Sequence, residues 1–194
     1  MNTNKNLKLK NIKMVVLDRD GVINFDSKDY IKTPQEWRAI PGSLNAIATI
    51  KKLGIKIAIA TNQSGIGRKY FSLETLNEIH TKMIIELKKL GADIDEINFC
   101  PHLPTSKCSC RKPEPQLLLK AIQKFNIKPE NTIMVGDSYK DMLAAQNAKC
   151  HAALVKTGNG IETMKKLKSS DNILIFENLA EFTKKLAREV SLKS

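Results

Sequence analysis

Asp18, Arg19 and Asp20 follow directly on the apolar run Met14–Leu17, and Gly21 comes next. A second acidic pair, Asp137 and Asp141, follows the apolar run Thr132–Val135 and Gly136. Carboxylates gathered at the ends of such runs repel one another unless a cation joins them. An all-oxygen donor set suits the hard ion Mg²⁺, which takes few carboxylates together with substrate phosphate oxygens. Taken singly, each Asp is also what a loop or a helix N-cap uses. Thr61 adds a hydroxyl, and Asn62-Gln63-Ser64-Gly65 offers backbone N–H groups at a helix start, a setting suited to phosphate. Arg111 contributes a planar fork and Lys112 a compact charge. As a set these residues provide what phosphoryl transfer needs: a carboxylate nucleophile, a neighbouring acid/base, a metal, and cations for the equatorial oxygens.

A second cluster is built from softer donors. Cys100 and His102, then Cys108 and Cys110 after five intervening residues, form a Cys₃His set that fits a closed tetrahedral Zn²⁺ site. Three inert thiols, or a Cys108/Cys110 redox pair, are the alternatives. A structural metal here would fix the position of Arg111 and Lys112, which follow Cys110 immediately. Cys150 reads as an ordinary buried cysteine, and His80 and His151 as structural or surface histidines.

The elements that must position these groups alternate short β-branched runs with amphipathic stretches. Strands are expected at Met14–Leu17, Ile55–Ala60, Ile94–Phe99, Thr132–Val135, Ala152–Val155 and Ile173–Phe176. Helices are expected from Pro41-Gly42 to Leu53, after the cap Ser72, around Leu117–Ile122 and after Asn178. The alternation predicts an α/β fold: a doubly wound, mostly parallel sheet covered on both faces. In such sheets functional groups collect beyond the carboxyl ends of the strands, so Asp18, Thr61, the 100–112 loop and Asp137 should converge. Residues 1–13 read as a frayed basic arm, and 14–194 as one domain containing the 100–110 metal loop.

Composition bounds the function. The net charge of +12 invites a nucleic-acid reading, but only five of the 32 basic residues are Arg. The lysines are scattered over helix ends and turns, and aromatics are 5%, a poor supply for base stacking. A zinc-bearing nucleic-acid module is the reading of a different class, and a polynucleotide-end phosphatase is a further enzyme option. No apolar run reaches the ~18–20 residues that span a bilayer. The polar start MNTNKNLKLKNIK lacks the apolar core of a secretory signal. A cytoplasmic monomer with no nucleic-acid or membrane partner is expected.

The run Asp18-Arg19-Asp20-Gly21-Val22, then Thr61, Lys112 and Gly136-Asp137-Ser138-Tyr139-Lys140-Asp141 resembles, in order, the four motifs of the haloacid dehalogenase superfamily of phosphotransferases. That resemblance implies a Rossmann-like core in which Asp18 is the nucleophile and Asp20 the general acid/base. It implies Mg²⁺ held by Asp18, the Asp20 carbonyl and Asp137, with Thr61 and Lys112 stabilising the phosphoryl group. For Asp141 it leaves two options, metal contact or loop orientation. The Cys-x-His…Cys-x-Cys-Arg-Lys-Pro arrangement further resembles the heptose-bisphosphate phosphatases and the related histidinol-phosphate phosphatases, and no long insertion interrupts the two usual cap positions. Thr61-Asn62-Gln63-Ser64-Gly65-Ile66-Gly67-Arg68 is similar to the heptose branch, which implies release of the 7-phosphate of a small phosphorylated sugar, a heptose 1,7-bisphosphate, in the supply of lipopolysaccharide core precursors. Asp26, Asp29, Tyr30, Asn62, Gln63, Ser64 and Arg111 are the expected substrate contacts. Histidinol phosphate is the alternative substrate.

Overall fold

The computed structural model describes residues 9–168 and 172–192. Six short apolar runs pair in parallel: β1 (Met14–Leu17), β2 (Lys56–Asn62), β3 (Glu96–Cys100), β4 (Thr132–Gly136), β5 (His151–Val155) and β6 (Leu174–Phe176), in the order β3-β2-β1-β4-β5-β6. β1 lies at the centre, with Val15 opposite Ile57 on one side and Ile133 on the other. Its four residues are fully buried, as expected of a strand covered on both faces.

Strand alternation sorts the core into two halves. Val15, Leu17, Ile57, Ile59, Ile133 and Val135 pack with α1 (Ser43–Lys52), α3 (Leu73–Lys88) and α7 (Leu179–Ser191). Met14, Val16, Ala58, Ala60, Met134 and Leu154 pack with α4 (Gln116–Phe125) and α5 (Tyr139–Asn147). Each fully buried side chain such as Ile47, Ile79, Leu118 or Phe182 contributes about 1.5–3 kcal/mol of transfer free energy. Capping follows the sequence: Ser72 Oγ accepts from the Thr75 N–H and Asn178 Oδ1 from the Glu181 N–H, each worth about 1 kcal/mol.

Several boundaries differ from the sequence reading: β4 ends at Gly136, β5 begins at His151 and β6 at Leu174, each one residue from the expected place. β2 runs on through Thr61 and Asn62 because those residues pair with Phe99 and Cys100 of β3. β3 begins at Glu96 rather than Ile94, since Asp95 is taken up as a hub for Lys51, Lys56 and the Ile57 N–H. Residues 9–13, expected to belong to a frayed arm over 1–13, are instead ordered. Leu9–Asn11 form a 3₁₀ turn, Leu9 and Ile12 are buried, and the Leu9 N–H donates to Glu189 of α7 at 2.7 Å. Residues 1–8 lie outside the described residues.

At the carboxyl edge of the sheet two long connections stand up. Residues 18–42 carry turns and isolated bridges only, pinned by the buried Trp37 and by the Ser43 hydroxyl donating to the Ile23 carbonyl at 2.6 Å. Residues 101–115 form the other connection, leading into α4. No helix among the described residues is long and apolar enough to cross a membrane.

Candidate active site

Each strand of the central four delivers polar residues where its pairing stops. Asp18 leaves β1 with its own N–H still bonded to the Val135 carbonyl at 3.0 Å, so the carboxylate starts from a fixed backbone. Asp137 leaves β4 next door. The two carboxylates and that of Asp141 have oxygens within 4.8 Å of one another. Lys112 Nζ, 2% exposed, sits between two of them, 2.9 Å from Asp18 Oδ1 and 2.5 Å from Asp141 Oδ1.

This arrangement is short of positive charge. Three carboxylates face one ammonium, a surplus of two negative charges that matches a divalent cation. Burial pushes the Asp18 carboxyl well up, against the pull of Lys112 and with the push of Asp141, Asp137 and Asp20. Burial, then Asp141, raises Asp137 to about 7. Lys112 is held above the ordinary lysine range: Asp141 and Asp18 outweigh the burial that opposes them. Crowded hard oxygens that cannot all ionise unaided are what an oxygen-ligated Mg²⁺ fits. Asp141 is engaged on both sides, by Lys112 on Oδ1 and by the Ser138 hydroxyl and N–H on Oδ2 at 2.6 and 3.0 Å. Its geometry is that of a counter-ion to Lys112 that also caps α5.

Asp20 is held apart from this cluster. Arg19 donates to both its oxygens, at 3.1 and 3.0 Å, Asn24 to Oδ1 at 2.8 Å and Gln63 to Oδ2 at 2.9 Å. Burial alone would raise its pKa, but the Arg19 charge and these donors bring it below the usual carboxylate value. Gln63 Nε2 also donates to Thr61 Oγ1 at 2.9 Å, so one amide ties the ends of β1 and β2 together.

A cavity of about 540 Å³ opens over these groups. Of the expected substrate contacts, Asp26, Tyr30, Asn62, Gln63, Ser64 and Arg111 line it together with Asp18, Asp20, Thr61, Lys112 and Asp137. Asp29 does not. The turn at Ser27–Tyr30, closed by the Tyr30 N–H on the Ser27 carbonyl, places Asp29 over two neighbouring grooves instead. Asn62 and Gln63 line the cavity with amides already committed. Asn62 accepts from the Lys112 N–H and donates to the Lys112 carbonyl, both at 3.1 Å, a two-point grip on the backbone of that lysine.

Sequence reasoning missed Asn159, Glu162, Thr163 and Lys166 on the cavity wall, contributed by α6 (Gly160–Met164) and the residues flanking it. Asn159 could have been found by applying the strand-end rule to β5. Its N–H and its amide both donate to Asp137 Oδ2, at 2.7 and 3.2 Å. Gly21, at φ +81°, and Gly158, at φ +56°, enclose the same oxygen, and a Cβ built on either would lie 2.2 Å from Asp137 Oδ2. Both positions combine a left-handed backbone with no room for a side chain.

The Cys/His cluster sits beside the cavity. Cys100, His102, Cys108 and Cys110 bring their ligating atoms within 4.8 Å of one another, with five of the six pairs at 3.0–3.6 Å. Four ligands at ~2.0–2.3 Å from one tetrahedral ion would be roughly 3.5–3.7 Å apart, so the set fits Zn²⁺. Burial and the neighbouring thiols push Cys100 up to about 12, a crowding that a cation relieves. The loop is stitched to the β2–α2 turn, where α2 is Ser64–Gly67: the Gln63 N–H donates to the Cys100 carbonyl at 2.8 Å and the Gly67 N–H to the Pro101 carbonyl at 3.0 Å. Cys150, expected to be buried, is only half-buried.

Residues 9–149 match the haloacid dehalogenase-like hydrolase family. The D-glycero-beta-D-manno-heptose-1,7-bisphosphate 7-phosphatase of Pseudomonas putida is 43% identical over 175 residues, 90% of this chain and 99% of its own length. The enzyme of the same name from Neisseria meningitidis serogroup B is 39% identical over 180 residues, 92% of this chain and 96% of its own. A crystal structure of D,D-heptose 1,7-bisphosphate phosphatase from Bordetella bronchiseptica, complexed with magnesium and phosphate, matches with a TM-score of 0.89 at 40% identity. That match covers 92% of this chain and 99% of the other.

Proposed function

Because this chain belongs to the haloacid dehalogenase-like hydrolases, we propose that it removes the 7-phosphate of D-glycero-D-manno-heptose 1,7-bisphosphate through an aspartyl-phosphate on Asp18. The observation that carries this reading is the meeting of Asp18, Asp20, Lys112 and Asp137 at one cavity. The chain around that cavity is 43% identical to a phosphatase of that name over nearly the whole of both.

Asp18 receives the Arg19 N–H at 2.7 Å and Lys112 on the same oxygen, Oδ1. Oδ2 has no partner among the described residues and is the oxygen that attacks phosphorus. As that bond forms, the bond from phosphorus to the sugar oxygen breaks, and Asp20 gives that oxygen a proton. The incoming phosphate oxygens raise the proton affinity of Asp20 at the moment its proton is required. A water then attacks the phosphorus, Asp20 takes its proton, and the bond to Asp18 breaks. Thr61 and Lys112 hold the equatorial oxygens throughout. Mg²⁺ held by Asp18, Asp137 and the Asp20 carbonyl would supply the positive charge that keeps these carboxylates ionised together. A structural Zn²⁺ on Cys100, His102, Cys108 and Cys110 would hold the loop that ends at Arg111 and Lys112.

Arg111, on the cavity wall, takes the distal phosphate, while Asp26 and Tyr30 meet sugar hydroxyls. The same reading makes a small phosphorylated sugar the partner of a cytoplasmic monomer. Phosphate release from a panel of phosphorylated sugars and histidinol phosphate tests it. kcat/KM for the heptose bisphosphate should exceed that for histidinol phosphate by at least about 100-fold, ~2.7 kcal/mol of discrimination. Equal turnover of histidinol phosphate would reassign the substrate. EDTA should abolish turnover and Mg²⁺ restore it.

A further inference from the structure

Arg19 is 1% exposed and joins two elements that the sequence keeps 61 residues apart. Its Nε and Nη2 grip Asp20, while Nη1 lies 3.3 Å from Nε2 of His80, on α3. A guanidinium has donors only, so His80 Nε2 accepts and the ring proton sits on Nδ1. Burial, then the Arg19 charge, pushes His80 down to about 3, which keeps the ring neutral in that role.

An uncharged acceptor is what this place needs. A carboxylate at position 80 would draw the guanidinium away from Asp20, and a cation would repel it. His80 itself is fixed, 6% exposed, on a helix seated by Leu76, Ile79 and Met83, with its ring 6.3 Å from that of Phe99 on β3. We infer that His80, acting through Arg19, holds the Asp20 carboxylate in the orientation that protonates the leaving oxygen, and is a positioning residue for that step.

The inference rests on the phosphatase reading, and the experiment separates the two. Protonation by Asp20 matters for a poor leaving group such as a sugar alkoxide, and little for the nitrophenolate of p-nitrophenyl phosphate. kcat/KM reports the steps through departure of that group, before the water attack that both substrates share. In His80→Leu, kcat/KM for the heptose bisphosphate should fall at least about tenfold, while that for p-nitrophenyl phosphate stays within about twofold and serves as the control for folding. His80→Asn keeps a polar group that is too short to reach the place of Nε2, and should show the same selective loss. His80→Gln, whose amide oxygen reaches that place, should restore most of the sugar-phosphate rate.

Equal losses on both substrates, no loss in either short variant, or a glutamine variant as deficient as leucine would each overturn the inference. Wild-type protein that releases no phosphate from the sugar would instead overturn the phosphatase reading itself.

Discussion

Asp18, Thr61, Lys112 and Asp137 reach their cavity from four segments spread over residues 18–137, whereas the Cys/His cluster lies wholly within 100–110. The first set is assembled by the sheet: strand pairing places the backbones of Asp18, Thr61 and Asp137, while the Arg19 N–H holds the Asp18 carboxylate and Asn159 that of Asp137. The second draws on the sheet only through Cys100, the last residue of β3. Its other members, His102, Cys108 and Cys110, sit on a connection whose own helical content is one 3₁₀ turn, Pro104–Ser106, and reach the surface to some degree. A site made by topology persists without its ion, while a site made by a short loop needs its ion to be a site at all. Lys112 belongs to both, gripped by Asn62 from the sheet side and tethered to Cys110 from the loop side.

That contrast can be broken at either end. Asp18→Asn removes the proposed nucleophile and leaves the scaffold, so turnover should drop at least about 10³-fold with the melting temperature little changed. A residual rate of several per cent would show that no covalent step passes through Asp18. Cys110→Ser attacks the other region: elemental analysis should lose one zinc per chain, and activity should fall roughly 10–100-fold as Lys112 loses its tether. Circular dichroism should still report the folded sheet, and global unfolding would show that the loop is part of the foundation.

A smaller effect is expected from pH on the sheet-built side. The folded protein keeps His80 neutral down to about pH 3, whereas the unfolded chain takes up that proton near 6.5. The unfolded state therefore binds more protons below pH 6.5, and His80 costs about 2 kcal/mol of stability between pH 7 and pH 5. Denaturant titrations of wild type and His80→Gln at the two pH values should differ by that amount. Smallest is Asn62→Ala, which removes two hydrogen bonds from the Lys112 backbone and should cost roughly fivefold in kcat/KM, about 1 kcal/mol. Combined with Cys110→Ser it should cost more than the sum of the two changes, since each grip covers for the other.

Much of this was legible beforehand, for identifiable reasons. Fully buried parallel strands read as uninterrupted apolar runs, and the strand-end rule then brings Asp18, Thr61 and Asp137 together without any knowledge of contacts. Lys112 entered with the 100–112 loop at the end of a strand and with the order of the four motifs, although nothing in its own neighbourhood points to a buried ammonium. What stayed hidden was pairwise and remote. Asp141 as the partner of Lys112, Asn62 as the grip on its backbone, and His80 behind Arg19 depend on register and helix rotation, which composition does not encode. Asp29 lies off the cavity for a local reason: the turn that presents Asp26, Ser27, Lys28 and Tyr30 to it turns Asp29 away. Leu9 and Ile12 were masked by the lysines around them, although two apolar residues three apart can seat a chain on a neighbouring helix.

The enclosure of Asp137 Oδ2 by Gly21 and Gly158 bears on how this protein can be recombined with its relatives. A Cβ on Gly158 would meet not only that oxygen but also the Gly21 Cα, at 2.7 Å. The loops after β1 and β5 are therefore a matched pair, shaped to each other across the carboxylate. A chimaera that imports one of them without the other inherits half of a mould, even where the imported loop is sound in its parent. Crossovers that move both together, or that fall within α7, beyond both loops, leave the mould intact.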